Sequence, residues 1–303
     1  MTPASRRRLI SIAALAIVML LWSGNAIVGR ALRDAVPPFT LAFLRWSGAL
    51  AIVLPFAARR LAADRAALQR RWPIVLVLGI TGVGCFNALL YTGLRHTGAT
   101  NAMLLQAAIP ALVLLADGVF FRLLPNSVQM AGVLLSVLGV ATVVAGGRPS
   151  ALLSLELGLG ELLILGAVLA WAIYTSLLKL RPPVHPASFL AATFAIGAVA
   201  MAPLAWHEWQ QGDVIRWSAA VFGGIIYVAV FPSVVAYALY NAAVADLGAV
   251  RAGQTITLMP LIGAVLSAAT LGEPLMNFHY VGMALILLGI LVGNAPLHPR
   301  ALR

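Results

Sequence analysis

Charge is what this chain has least of. Asp, Glu, Lys and Arg make up 10% of its 303 residues, against about 25% in a soluble domain, and Lys179 is the only lysine. The 9 acidic residues form no cluster, and the five histidines, at 96, 185, 207, 279 and 298, have no ligand spacing. Neither a metal site nor metal-assisted chemistry is expected. Cys85 stands alone, which excludes an intrachain disulfide and a thiolate zinc cluster. No glycine-rich turn is followed by Lys and Ser or Thr; Gly146 and Gly147 mark a loop boundary, so no nucleotide or other cofactor is expected. A lipid-modifying enzyme would gather several acids or histidines at one membrane boundary, a retinal protein would need a lysine within a span, and a receptor or scaffold would show an appended domain or long tail. The sequence offers none of these, and the chain is not expected to be an enzyme.

What it has instead is apolar length. Hydrophobic residues make up 62% and the mean hydropathy is +0.98. Ten runs, at about 9–29, 39–57, 73–94, 99–120, 127–146, 157–179, 187–205, 217–241, 249–271 and 278–296, approach the roughly 20 residues that carry a helix across a bilayer. Their continuity excludes the alternation of a membrane barrel. Arg6, Arg7 and Arg8 before the first run raise the alternative of a cleaved signal peptide, but the run's length and the recurrence of its Trp22 at mid-chain argue for retention.

The net charge of +11 resolves into orientation rather than nucleic-acid binding. With ten spans and a cytoplasmic N-terminus, fourteen basic residues fall on the cytoplasmic side (Arg6, Arg7, Arg8, Arg59, Arg60, Arg65, Arg70, Arg71, Arg122, Lys179, Arg181, Arg251, Arg300 and Arg303). Five fall opposite (Arg30, Arg33, Arg95, Arg148 and Arg216). That bias places both termini in the cytoplasm, and residues 58–71 read as a basic cytoplasmic connection, partly helical, lying on anionic lipid.

The chain is written twice. Gly98, Pro110, Gly132 and Gly139 recur 150 residues later as Gly248, Pro260, Gly282 and Gly289; Trp22 recurs as Trp171 and Pro55 as Pro203. The expected units are 1–150 and 151–303. Five helices per unit reverse the second in the membrane, so the expected fold is all-α: ten transmembrane helices in two inverted five-helix repeats. Such repeats build two exchangeable conformations around a site near the midplane.

The scarce polar groups within the runs nominate that site. Asn87 and Tyr91 lie four apart, as do Tyr237 and Asn241 with the residue types exchanged, so each pair shares a helix face. Trp22 with Asn25, and Trp171 with Tyr174, repeat a spacing of three; both tryptophans lie about 20 Å along their helices, deeper than an interfacial belt. Pro110 and Pro260 fall near the centres of the fourth and ninth runs, with Gln106, Gln254, Thr255 and Thr257 within two turns. The prolines read as packing kinks or as bends around a cavity, and the polar residues as solute contacts or interhelical bridges. Arg45 is the only basic residue inside a span: it snorkels or pairs, or else binds a carboxylate or gates one side. Asp117 and Glu161 sit at boundaries and no central carboxylate stands out, so facilitated movement along a gradient is the default. Close helix packing accounts for Gly139 and Gly289.

Further local signatures are Leu21-Trp22-Ser23-Gly24, Arg45, residues 94–100, Pro110, Ala170-Trp171-Ala172, Leu247-Gly248-Ala249, Pro260 and Leu271-Gly272-Glu273-Pro274. With the repeat length and topology, the chain from about Ile10 to Leu291 resembles the drug/metabolite transporter superfamily, specifically members with two EamA-type domains. The resemblance implies a secondary transporter in the cell inner membrane that moves small organic metabolites, often outward, through a cavity between the halves. An amino-acid-like solute is the preferred partner besides membrane lipid; drugs, quaternary amines and nucleosides are the alternatives. A monomer would suffice, with a homo-oligomer left open. It also implies a gating or structural role for Glu273, whose counterpart in the first half is Leu123, a departure that removes the acidic turn from the other side.

Overall fold

The computed structural model describes residues 3–123, 126–148, 150, 158–247 and 255–293. Among them the structure is all-α: α1 (Pro3–Ala31), α2 (Pro38–Arg70), α3 (Trp72–Leu78), α4 (Phe86–His96), α5 (Ala99–Gln106), α6 (Ile109–Phe121), α7 (Ser127–Val144), α8 (Leu159–Leu177), α9 (Pro186–Gln210), α10 (Ala219–Ala229), α11 (Ala236–Leu247), α12 (Met259–Leu271) and α13 (Asn277–Gly293). Helix is the form an apolar run takes in lipid, because every backbone N–H and C=O must be satisfied within the segment. Seven helices are long and apolar enough to cross a bilayer, and the bent pair α5–α6 makes an eighth. Ten spans were expected. The remaining two runs appear as the shorter apolar helices α12 and α13; at 17 residues, α13 is about 25 Å long, short of the roughly 30 Å hydrocarbon core.

Two of the long rods are wound differently at their centres. A π-helical turn, Gly79–Cys85, joins α3 to α4, and a second, Val230–Val235, joins α10 to α11. Such turns are uncommon and concentrate at functional sites. Nothing in the periodicity announced them, although three glycines in the first (Gly79, Gly82, Gly84) and Pro232 in the second disfavour regular helix there.

Helix ends follow local chemistry. Asn126 and Gln129 form a reciprocal capping box at the start of α7. The buried Glu208 carboxylate accepts the N–H groups of Phe39 and Thr40 at 3.0 and 2.7 Å, satisfying the first turn of α2. The helix α2 continues unbroken past its apolar part through the basic stretch to Arg70, so most of the connection expected after residue 57 is helical. Arg122 and Gly272, 150 residues apart, both end their helices in the left-handed region, at φ 57° and 66°.

Packing pairs α2 with α9, α7 with α13, α4 with α8, and α1 with α11 and α12. Outward faces carry exposed Phe56, Val119, Val199, Val265 and Leu291, as expected where lipid is the solvent. The α7–α13 contact is backbone on backbone. A Cβ on Gly132 would stand 2.4 Å from the Gly289 carbonyl oxygen, and one on Gly139 would stand 2.7 Å from that of Gly282, so the paired glycines set the closeness of the two helices. Gly289→Leu is expected to force the helices apart at a cost of about 1–3 kcal/mol, seen as a lower melting temperature of the detergent-solubilised protein, whereas Leu291→Ala on the exposed face leaves it nearly unchanged.

Candidate functional site

Between these helices lies a cavity lined by Trp22, Asn25, Ala26, Arg45, Phe86, Asn87, Leu90, Gln106, Ile109, Trp171, Tyr237, Ile256 and Met259. The space open to the centres of water-sized molecules is only about 40 Å³, room for about three waters. The walls are therefore closed in, and an organic solute would need them to part.

One wall is built around Arg45, which is 3% exposed. Its Nε donates to Ser233 Oγ at 2.8 Å, and its Nη1 donates to Asn25 Oδ1 at 2.8 Å, Asn87 Oδ1 at 2.7 Å and Tyr91 Oη at 2.9 Å. Each acceptor is itself held. Tyr91 donates to Asn25 Oδ1 at 2.6 Å, and Asn87 Nδ2 donates to the Val83 carbonyl at 3.1 Å. Pro232 has no N–H for the carbonyl of Val228 four residues back, and the Ser233 hydroxyl donates to that oxygen at 2.8 Å. The Trp46 ring lies 4.5 Å from the guanidinium carbon, which fixes its plane. Arg45 is thus buried rather than snorkelling, and it pairs with no acid among the described residues. It is drawn inward by four neutral acceptors on α1, α4 and the second π turn.

Much of the remaining lining is aromatic. The Trp22 ring lies 6.1 Å from Trp171 and 6.0 Å from Tyr237, and its Nε1 donates to the Pro232 carbonyl at 3.0 Å. Trp171 continues to Phe86 at 4.9 Å. Gln106 is buried, donates to the Ala102 carbonyl at 3.2 Å, and faces the cavity where α5 ends.

Of the residues nominated from sequence, Trp22, Asn25, Asn87, Gln106, Trp171 and Tyr237 line the cavity, and Arg45 joins them. Tyr91 and Tyr174 do not. Each ring lies where a glycine leaves space: a Cβ on Gly29 would meet the Tyr91 ring at 2.9 Å, and one on Gly82 would meet the Tyr174 ring at 2.3 Å. Tyr91 thereby supports Arg45 from behind, and Tyr174 backs Trp171 at 5.1 Å. Asn241 lies in α11 but its side chain is outside the described residues, as is Gln254 altogether. Pro110 stands mid-span beside a bend, and both prolines fall where a new helical segment begins. They stand in the first turns of α6 and α12, where a missing N–H costs nothing. The bend of 42° falls between α5 and α6, just before Pro110. Sequence reasoning missed Ser233 and the apolar lining of Phe86, Ile109, Ile256 and Met259; only the Pro232-Ser233 dipeptide carried a signal.

Glu273 works elsewhere, at the helix ends. Its carboxylate accepts the N–H groups of Ala99 and Thr100 at 3.2 and 3.1 Å and the Ser267 hydroxyl at 2.8 Å, and pairs with Arg30 Nε at 3.3 Å. Arg30 also donates to the Leu94 carbonyl at 2.7 Å. Partial burial favours the neutral acid, but the Ser267 and backbone donors together with Arg30 outweigh it and hold the carboxyl below its usual range. Beside it, Asn101 bridges Glu161 at 3.2 Å and His279 at 2.8 Å. A depressed carboxyl contributes stability above its unfolded pKa and loses it as the pH falls through the folded value. Glu273→Gln is expected to lower the melting temperature at neutral pH and to flatten its decline below about pH 4, measured as melting temperature against pH. Tyr91→Phe, which removes a buried acceptor of Arg45, is expected to destabilise by about 1–3 kcal/mol in the same assay.

Comparison with known proteins places this arrangement in context. The EamA-like transporter family matches residues 9–145 and again 158–294. Similar proteins include the uncharacterized transporter YyaM of Bacillus subtilis, 26% identical over 258 residues, covering 85% of this chain and 84% of that protein. An uncharacterized transporter of Archaeoglobus fulgidus is 27% identical over 290 residues, covering 94% and 97%. A probable terminal-alkyne amino-acid exporter of Streptantibioticus cattleyicolor is 25% identical over 230 residues, covering 74% of each. A solved crystal structure superimposes over 96% of both chains with a TM-score of 0.61 at 20% identity, a likeness of fold.

Proposed function

The chain belongs to the EamA-like transporter family, a multi-pass membrane transporter of small organic metabolites rather than an enzyme, and from that premise we propose that it exports an amino-acid-like metabolite by alternating access. The observation that carries the reading is the cavity itself, which joins neutral hydrogen-bonding groups (Asn25, Asn87, Gln106) to aromatic surface (Trp22, Trp171, Tyr237), the pairing suited to a small solute with polar and apolar parts. The relative from Streptantibioticus cattleyicolor, a probable exporter of an amino acid, supports the choice of substrate class.

The movement proposed is a rocking of two units, 1–150 and 151–303, of five spans each and opposite orientation, in the cell inner membrane with both termini cytoplasmic. Three features support this. The π turns recur 151 residues apart at their starts, Gly79 and Val230. The two left-handed helix ends recur 150 apart. The helix contacts also exchange, α4 with α8 in one place and α11 with α1 in the other. The cavity's small free space fits a closed stage of such a cycle. An existing solute gradient drives the net flow.

In sealed vesicles holding the purified protein, counterflow is expected with labelled amino acids, and Trp22→Ala or Tyr237→Ala, folding retained, should weaken it about two- to tenfold, the worth of one aromatic contact. Counterflow of only sugars, nucleosides or quaternary amines would overturn the substrate class. For orientation, Pro3→Cys, Arg148→Cys and Ala301→Cys, each on a Cys85→Ser background, are expected to give labelling from outside intact cells at position 148 alone; the reverse pattern would refute it.

A further inference from the structure

The hydrogen bonds of Arg45 leave one end of its guanidinium unused. Nε is taken by Ser233, and Nη1 by Asn25, Asn87 and Tyr91. A guanidinium has five N–H donors and is always charged. The two on Nη2 meet no acceptor among the described residues, yet Nη2 is not among the sealed polar atoms without a partner, and Arg45 lines the cavity. The free end therefore opens into the cavity.

Its charge is equally unanswered. Ion pairs among the described residues join Arg30 to Glu273, Arg33 to Asp34 and Lys179 to Asp117, and the described lining contains no Asp or Glu. A buried cation without a counter-charge is costly, and here it is held in place by neutral oxygens and by the face of Trp46. The geometry points to Arg45 Nη2 as the recognition group for a solute carboxylate, which supplies the missing negative charge. This rests on the reading of the cavity as the transport site and deepens it. One cation matches one carboxylate, whereas a doubly charged phosphate would leave a net negative charge in an apolar pocket. The aromatic rings of Trp22, Trp171 and Tyr237 line the same cavity and suit an ammonium group, so a zwitterion is answered at both ends. A quaternary amine or cationic drug that lacks an acid is repelled by the same guanidinium. Asn25, Asn87, Tyr91 and Ser233 are positioning residues: they consume the other N–H groups and aim Nη2.

The test compares acids with their neutral derivatives on the full-length detergent-purified protein. Titration calorimetry with leucine and phenylalanine, with leucinamide and phenylalaninamide, and with tetramethylammonium is expected to show binding of the two acids and at least about tenfold weaker binding of the amides, the effect of losing a charged hydrogen bond. Arg45→Gln should abolish that discrimination. Leu291→Ala, on the exposed outward face and outside the cavity lining, should preserve it. Should Arg45→Gln fail to fold, the acid-against-amide comparison on the native protein decides alone. Amides or tetramethylammonium binding as tightly as the acids, neither acid binding, or a folded Arg45→Gln that still prefers acids overturns the inference. Counterflow in vesicles separates this from the transport reading: acids that bind without counterflow leave the recognition role standing and refute transport, and counterflow of amides or amines alone does the reverse.

Discussion

A positive charge buried in a membrane protein without an acidic partner constrains everything packed around it. Arg45 is held at 3% exposure by oxygens from Asn25 on α1, Asn87 and Tyr91 on α4, and Ser233 in the second π turn. Those four residues lie on three separate stretches of chain, so the charge is solvated only when the helices are assembled. Removing one acceptor leaves a charged donor short of partners in a medium without water, which costs more than the mean hydrogen bond is worth. The same arrangement explains why the helices meet here at all, since the surrounding contacts between apolar faces have little advantage over contacts with lipid.

Irregular backbone serves that assembly. The turn at Val230–Val235 frees a carbonyl at Val228, which the Ser233 hydroxyl satisfies while accepting from Arg45. The oxygen of Pro232 holds the Trp22 indole. A defect in one helix thus becomes two fixed contacts with the first half of the chain, to Arg45 and to Trp22, both of which line the cavity. At the helix ends, carboxylates replace missing backbone partners: Glu208 for the start of α2 and Glu273 for the start of α5. Two of the scarce acids are thus spent on helix starts, and Arg45 is the one charged residue in the described cavity lining.

Much of this was legible before the structure. Apolar length marked the spans, although α13 is shorter than the crossing length and the start of the ninth run falls outside the described residues. Of the polar and aromatic residues singled out within the runs, Trp22, Asn25, Asn87, Gln106, Trp171 and Tyr237 line one cavity. The readings that changed share a cause. Tyr91 and Tyr174 were chosen by spacing along one helix, but the direction of each ring was decided by a glycine on another helix, Gly29 or Gly82. Pro110 does lie mid-span, but hydropathy is continuous through its run and does not register that the helix breaks just before it.

The sequence by itself determined that the chain is helical, lives in lipid, and is built with a doubled pattern of Gly, Pro and aromatic residues, because these follow from composition and spacing along one strand of text. Only the tertiary structure decided which way the polar groups face and that Arg45 is surrounded by neutral oxygens. The physical reason is that a run apolar on every side has no amphipathic stripe to report its inner face. Which side is inner depends on the neighbouring helices, and a buried charge finds its partners across sequence separations of 20 to 188 residues.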